Sequence, residues 1–221
     1  ETGTCESTLK AHNKSVTAVS YSPTGKQVVS GSLDKSLIIW DPAAAKPITV
    51  LPSHTKPINS VGFSNDGQHV ISASDDCTLR VWSSNLGKEK NVIKVKAGHM
   101  LCVAFHPHNN MRLVTGSSEC TLHIWDLETN EEIVSMKGHT RAINYCEYSP
   151  DGKYIASASD DASIMLWDAN TGDLVRKFTG HRDCVAQISF SPVAGDTRLV
   201  SCSDDYSLRV WNYMTGEMVT E

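Results

Sequence analysis

The sequence predicts an all-β protein built from five copies of one four-stranded antiparallel sheet. Three observations predict it. The five tryptophans, Trp40, Trp82, Trp125, Trp167 and Trp211, are spaced 42, 43, 42 and 44 residues apart. Each closes the same kind of segment, from SGSLDKSLIIW in the first period to SCSDDYSLRVW in the last. Between them, short β-branched and aromatic runs alternate with Pro/Gly/Asn/Asp turns, and no stretch carries the 3.6-residue period of a helix.

The elements follow in a fixed order within each period. A first run (VTAVSYS, INSVGFS, MLCVAFH, INYCEYS, VAQISFS) has the composition of a strand. A turn such as SPTG, SNDG or SPDG comes next, where Pro presets φ and Gly supplies the left-handed residue. A second run (QVVSGS, HVISAS, YIASAS) leads through an acid to the tryptophan strand. A further turn, clearest at Asn170–Gly172 and Met214–Gly216, introduces the fourth run. Four strands per period are expected.

Bulk properties bound the function classes. The 221 residues are 40% hydrophobic and 20% charged, ordinary for a globular protein, with a formal net charge of −5. Lys and Arg are scattered, so no nucleic-acid partner is expected. No run of about 18 apolar residues is present, so no membrane span is expected, and the N-terminus lacks the pattern of a signal peptide. The seven cysteines are odd in number and none form a CxxC pair, so they read as reduced thiols of an intracellular, cytoplasmic protein.

These residues resemble the WD-repeat family over essentially the whole chain. The marks are GH at Gly138–His139 and Gly180–His181, and WD at Trp40–Asp41, Trp125–Asp126 and Trp167–Asp168, with Trp82–Ser83 and Trp211–Asn212 as variants. The resemblance implies a β-propeller of four-stranded blades across 1–221. Its repeats fall at about 9–41, 51–83, 93–126, 136–168 and 178–212, with 1–8 and 213–221 as partial strands of the adjoining repeat. It also implies a non-catalytic scaffold for binding other proteins, with no cofactor.

Polar residues recur in register with each tryptophan. A hydroxyl lies ten before it (Ser30, Ser72, Thr115, Ser157, Ser201) and an acid six before it (Asp34, Asp76, Glu119, Asp161, Asp205). A histidine precedes them in four repeats: His12, His54, His139 and His181. In the family these groups form a buried chain from carboxylate to imidazole to hydroxyl to indole. Imidazole suits the middle place because it offers a donor on one side and an acceptor on the other. Ser, His and Asp together also suggest a hydrolase triad. A catalytic triad occurs once, whereas this set recurs in every period and ends on a tryptophan, so it reads as structural. There is also no metal-ligand cluster, phosphate loop or unrepeated acid pair.

The third repeat departs from the pattern. His54, His139 and His181 each lie fourteen residues after a tryptophan, and that position in the third repeat is Lys96. Lys96 with Glu119 would replace His–Asp by an ion pair, a register that needs no gap through Phe105. The alternative keeps Gly98–His99 as the GH dipeptide. In either case this network is expected to be the weakest of the five.

Both ends share one phase, since Thr2–Gly3 aligns with Thr215–Gly216. One reading is a closed five-bladed ring in which Thr4–Leu9 completes the last blade. The other, favoured because members of the family mostly close with seven or eight blades, is a piece of a longer array. Self-association is expected if the five repeats do not close.

By resemblance, partners bind the face carrying the histidine and acid loops, through three positions per blade. Here these are Ser15, Thr17 and Leu33; Pro57, Asn59 and Asp75; His99, Leu101 and Ser118; Ala142, Asn144 and Asp160; and Cys184, Ala186 and Asp204. Asp75, Asp160 and Asp204 make the rim acidic, which points to a basic or polar peptide; solvated loop acids without a partner are the competing reading. No Arg, Trp or Tyr fills these slots, although such residues commonly carry binding energy. Ubiquitin-ligase substrate receptors of this family carry Arg or Lys three after the tryptophan, where this chain has Ala43, Asn85, Glu128, Asn170 and Met214. That role is disfavoured. A regulatory or ligand-sensing array of a signalling ATPase (NACHT/STAND class) and a ciliary or cytoskeletal array remain as alternatives.

Overall fold

The computed structural model describes residues 3–52, 54–96 and 98–220. Glu1 and Thr2, part of the phase alignment with Thr215–Gly216, lie outside the described residues. Twenty strands form five four-stranded antiparallel sheets, each a meander in chain order. The first contains β1 (Val16–Tyr21), β2 (Val28–Ser32), β3 (Ser36–Asp41) and β4 (Lys46–Pro52). The second contains β5 (Ile58–Phe63), β6 (His69–Ser74), β7 (Thr78–Ser83) and β8 (Glu89–Lys94). The third runs β9 (Met100–His106), β10 (Asn109–Ser117), β11 (Thr121–Asp126) and β12 (Glu131–Lys137). The fourth runs β13 (Ile143–Tyr148), β14 (Tyr154–Ser159), β15 (Ser163–Asp168) and β16 (Leu174–Thr179). The fifth runs β17 (Val185–Phe190), β18 (Arg198–Ser203), β19 (Leu208–Asn212) and β20 (Met218–Thr220). Among the described residues there is no helix.

Successive side chains of a strand point to opposite faces, and the middle strands here are apolar on both. Each sheet is therefore sandwiched by its neighbours. The leading face, which carries the tryptophan, meets the trailing face of the sheet before it. Ile58, Val61, Val70 and Trp82 of the second sheet pack on Val29, Leu37 and Ile39 of the first. The same contact recurs at the second and third, third and fourth, and fourth and fifth sheets. A fully buried Val, Leu or Ile contributes about 1.5–3 kcal/mol, so these four seams are the core. Cys102 and Cys146 lie in the seam between the third and fourth sheets, their sulfurs 3.2 Å apart. All seven cysteines are free thiols.

The turn after β2 and its equivalents has a distinct local cause. The residue following the acid adopts a left-handed conformation in every sheet: Lys35, Cys77, Cys120, Ala162 and Tyr206, with φ of 63–74°. This costs a non-glycine residue roughly 1–2 kcal/mol, offset in the four sheets with an aspartate by hydrogen bonds that its carboxylate accepts. Cys77 and Cys120 sit beside acids because they occupy this turn.

The ends differ from the ring reading. Thr4–Leu9 forms no strand, and the outer strand of the fifth sheet is β20 instead. Leu9 packs on the leading face of the first sheet, against Val28, Ile38 and Trp40.

Candidate functional site

In four sheets the predicted polar residues meet. The histidine Nδ1 lies 2.9–3.0 Å from the acid Oδ2 in the pairs His12–Asp34, His54–Asp76, His139–Asp161 and His181–Asp205. Nε2 lies 2.7–2.8 Å from Ser30, Ser72, Ser157 and Ser201. The indole N–H of Trp40, Trp82, Trp167 and Trp211 donates to the same hydroxyl at 2.7–3.2 Å. The ionised carboxylate can only accept, so the ring carries its proton on Nδ1, facing it, which leaves Nε2 to accept from the serine hydroxyl while the serine oxygen accepts from the indole.

The electrostatics agree with a neutral ring beside an ionised acid. Burial lowers the pKa of His54 and His139 against the opposing pull of Asp76 and Asp161. Burial alone would raise the acids. Hydrogen bonds from Thr78, the Thr55 amide and His54 nevertheless hold Asp76 at about 2, and Ser163, the Thr140 amide and His139 do the same for Asp161. Each carboxylate is thus saturated by donors, each imidazole is engaged at both nitrogens, and each serine hydroxyl is buried against its indole.

A fifth member of the network escaped the sequence reading. Ser36, Thr78, Ser163 and Ser207 donate to the acid Oδ1 at 2.6–2.7 Å. The signal was visible as a Ser or Thr four before every tryptophan. The acid after the tryptophan also has a local task. Asp168 Oδ1 accepts the amides of Asn170 and Thr171 at 2.8 and 3.0 Å, and Asn212 does the same for Met214 and Thr215.

In the third sheet, Trp125 still donates to Thr115, at 3.0 Å. Neither candidate for its histidine slot occupies it. Lys96 is exposed and makes no bond to Glu119 among the described residues. His99 turns toward the second sheet, its Nδ1 2.7 Å from the Asp75 carbonyl. A different histidine is recruited: His123, opposite Thr115 in the ladder, holds Thr121 at 2.9 Å through Nε2, and Thr121 meets Ser117 at 2.9 Å. Its Nδ1 lies 3.1 Å from Glu132 Oε1, near enough for attraction but off the hydrogen-bonding direction.

The fifteen rim positions are assembled by one backbone bond repeated five times. The amide of Leu33, Asp75, Ser118, Asp160 or Asp204 donates to the carbonyl of Ser15, Pro57, His99, Ala142 or Cys184, at 2.9–3.0 Å. The middle positions, Thr17, Asn59, Leu101, Asn144 and Ala186, line a cavity of about 480 Å³ on which all five inner strands converge.

Several rim side chains are engaged within the protein. Thr17 donates to the Ile58 carbonyl, Asn59 to Met100 and Asn144 to Val185, each reaching the next sheet. Asn59 and Asn144 also hold the carboxylates of Asp75 and Asp160, at 2.7 and 2.8 Å. Asp160 further accepts the Cys184 thiol at 3.0 Å; burial and this acid push that thiol up to about 12, so it stays a donor. Asp204 is exposed, and its carboxylate accepts no hydrogen bond among the described residues. Beside it stands Tyr206, fully exposed. This tyrosine lies outside the three family slots, and its place in the left-handed turn is what presents it.

The WD domain, G-beta repeat family model matches residues 3–41, 45–83, 90–126, 130–168 and 172–212. The chain belongs to the WD40 family. Each WD40 match after the first begins within two residues of the start of the preceding sheet's outer strand, so the repeat of the family model is offset by one strand from the sheet. Among curated relatives, the chain is 36% identical over 64 residues to ribosome assembly protein 4 of Saccharomyces cerevisiae, covering 28% of this chain and 12% of that protein. It is 42% identical over 38 residues to POC1 centriolar protein homolog A of Danio rerio, covering 17% and 9%. The chain spans about a tenth of the length of these relatives. WD40 repeats are in general protein-interaction scaffolds and not enzymes. Among the described residues, no three His, Cys, Asp or Glu side chains group to hold a metal ion, and no helix is long and apolar enough to cross a membrane.

Proposed function

We propose that this WD40 chain is a non-catalytic scaffold whose loop face binds an extended basic peptide, anchored at the fifth sheet. The observation that carries the reading is the pairing of Asp204 with Tyr206. They are an acid free of internal bonds and an exposed aromatic, on a rim where Asp75 and Asp160 are already held by asparagines. A tyrosine supplies large contact area at low entropic cost, and an unengaged carboxylate selects a cationic side chain. The relatives' names, ribosome assembly and centriolar, belong to large assemblies and support a scaffold role.

The test is fluorescence anisotropy with labelled Lys/Arg-containing extended peptides at two salt concentrations. Binding that weakens at high salt, and that Asp204→Lys or Tyr206→Ala each weakens about tenfold or more, is expected. Affinity unchanged in both variants would remove the anchor.

A further inference from the structure

Equivalent positions of the inner strands meet at each seam, one from the trailing face of a sheet and one from the leading face of the next. By ladder register, Ala18, Ser60, Cys102 and Tyr145 hold the trailing place, and Val61, Val103, Cys146 and Ile188 the leading one. At the first seam Ala18 packs on the cluster that contains Val61; at the second, the Val103 amide donates to the Ser60 hydroxyl at 3.3 Å. Of the four seams, the third alone brings two thiols together. There Cys102 on β9 donates to Cys146 on β13, with the sulfurs 3.2 Å apart.

Nothing in the fold requires sulfur at these places. Valine or isoleucine fills the Cys146 position in the other sheets, and both thiols are buried among apolar side chains. Room for the approach comes from Gly116, opposite Cys102 in the ladder: a Cβ there would lie 2.6 Å from the Cys102 sulfur. Cys102 also borders the central cavity of about 480 Å³, which gives a small solute a path to that side of the seam.

We propose that Cys102 and Cys146 form an oxidation site, at which hydrogen peroxide joins the third and fourth sheets through a disulfide. This goes beyond the peptide reading and does not depend on it, because the pair lies away from the anchor on the fifth sheet. Cys102 attacks first, as the thiolate: its sulfur displaces hydroxide from the peroxide, the O–O bond breaks, and a sulfenic acid forms. The Cys146 sulfur, deprotonated in its turn, then attacks the Cys102 sulfur, and the second hydroxide leaves. Protons released by the two thiols convert both hydroxides to water, so two thiols and one peroxide give one disulfide and two waters. Burial and the neighbouring Cys102 hold the Cys146 thiol well above its usual range, which is why the first attack falls to Cys102. The reaction is therefore slow beside that of a surface thiol, as suits a lock more than a rapid sensor. The bond, about 2.0 Å long, asks the sulfurs to approach by about 1 Å. It ties residues 44 apart in the chain and so restricts the unfolded state.

The whole chain, treated with hydrogen peroxide and then unfolded, alkylated and digested with trypsin, provides the test. Peptides 97–112 and 142–153 should appear joined through Cys102 and Cys146, and dithiothreitol should part them. The melting temperature of the oxidised chain should rise by roughly 5–10 °C over that of the reduced chain. Cys146→Val, which installs the residue found at that place in the first three sheets, should fold, form no such link and show no rise. Cys102 and Cys146 still open to alkylation after the exposed Cys5 and Cys202 have been oxidised would overturn the proposal. So would a link that leaves the melting temperature unchanged, or a rise that persists in Cys146→Val.

Discussion

Each network turns on one serine hydroxyl that serves two buried partners at once. In the fourth sheet, Ser157 accepts from Trp167 at 2.9 Å and meets His139 at 2.8 Å. Ser157→Ala would leave an indole N–H and an imidazole nitrogen unpaired, each costing about 1–3 kcal/mol. In the third sheet, Thr115→Val would orphan Trp125 alone, because no histidine reaches that hydroxyl. Urea unfolding should therefore show a loss of about 2–4 kcal/mol for Ser157→Ala and roughly half that for Thr115→Val. Equal losses would mean that the third network is as connected as the rest.

Between elements, the seams are mostly apolar, but one of them holds a carboxyl. Glu147 on β13 is largely buried against the fifth sheet, and its Oε2 has no hydrogen-bond partner. Its equivalents, Ser20, Gly62, Ala104 and Ser189, are small. Burial pushes its carboxyl up to about 7, and hydrogen bonds from Phe190 and Ser189 pull it back only in part. Below pH 4.5 the folded and unfolded states both hold the proton. Between pH 4.5 and 7 the unfolded chain releases a proton that the fold retains, so stability falls as pH rises and the cost is complete above 7. Glu147→Gln removes this cost. The variant should be more stable than wild type at pH 8, by on the order of 2 kcal/mol, with the gap narrowing toward pH 4.5 in thermal melts. A gap independent of pH would place the gain in packing instead.

At the scale of the whole molecule, each sheet touches only its neighbours, so stability is close to a sum of sheets and seams. The second, third and fourth sheets have both faces covered. The first and fifth each have one face open, seen in the exposure of Val16 and Leu208. Hydrogen exchange measured on this chain should show the least protected amides in β1–β4 and β17–β20. Uniform protection across the five sheets would mean that the array opens as one unit and not from its ends.

What the sequence determined by itself was everything periodic along the chain: the all-β class, four strands per repeat, and the hydroxyl, acid and histidine set at fixed distance from each tryptophan. Such features are local, because turn residues and strand alternation act within about ten residues and repeat whenever the sequence does. Only the tertiary structure decided what depends on a neighbouring sheet. It put His123 rather than Lys96 or His99 against a hydroxyl of the third sheet, because His123 and Thr121, two apart on β11, point to the same face while His99 turns to the Asp75 carbonyl. It engaged Thr17, Asn59 and Asn144 with carbonyls 41 residues further on, leaving Asp204 and Tyr206 as the free pair on the rim. It also decided which apolar faces are covered, because whether an apolar face is buried depends on what stands opposite it, and no residue carries that information in its own side chain.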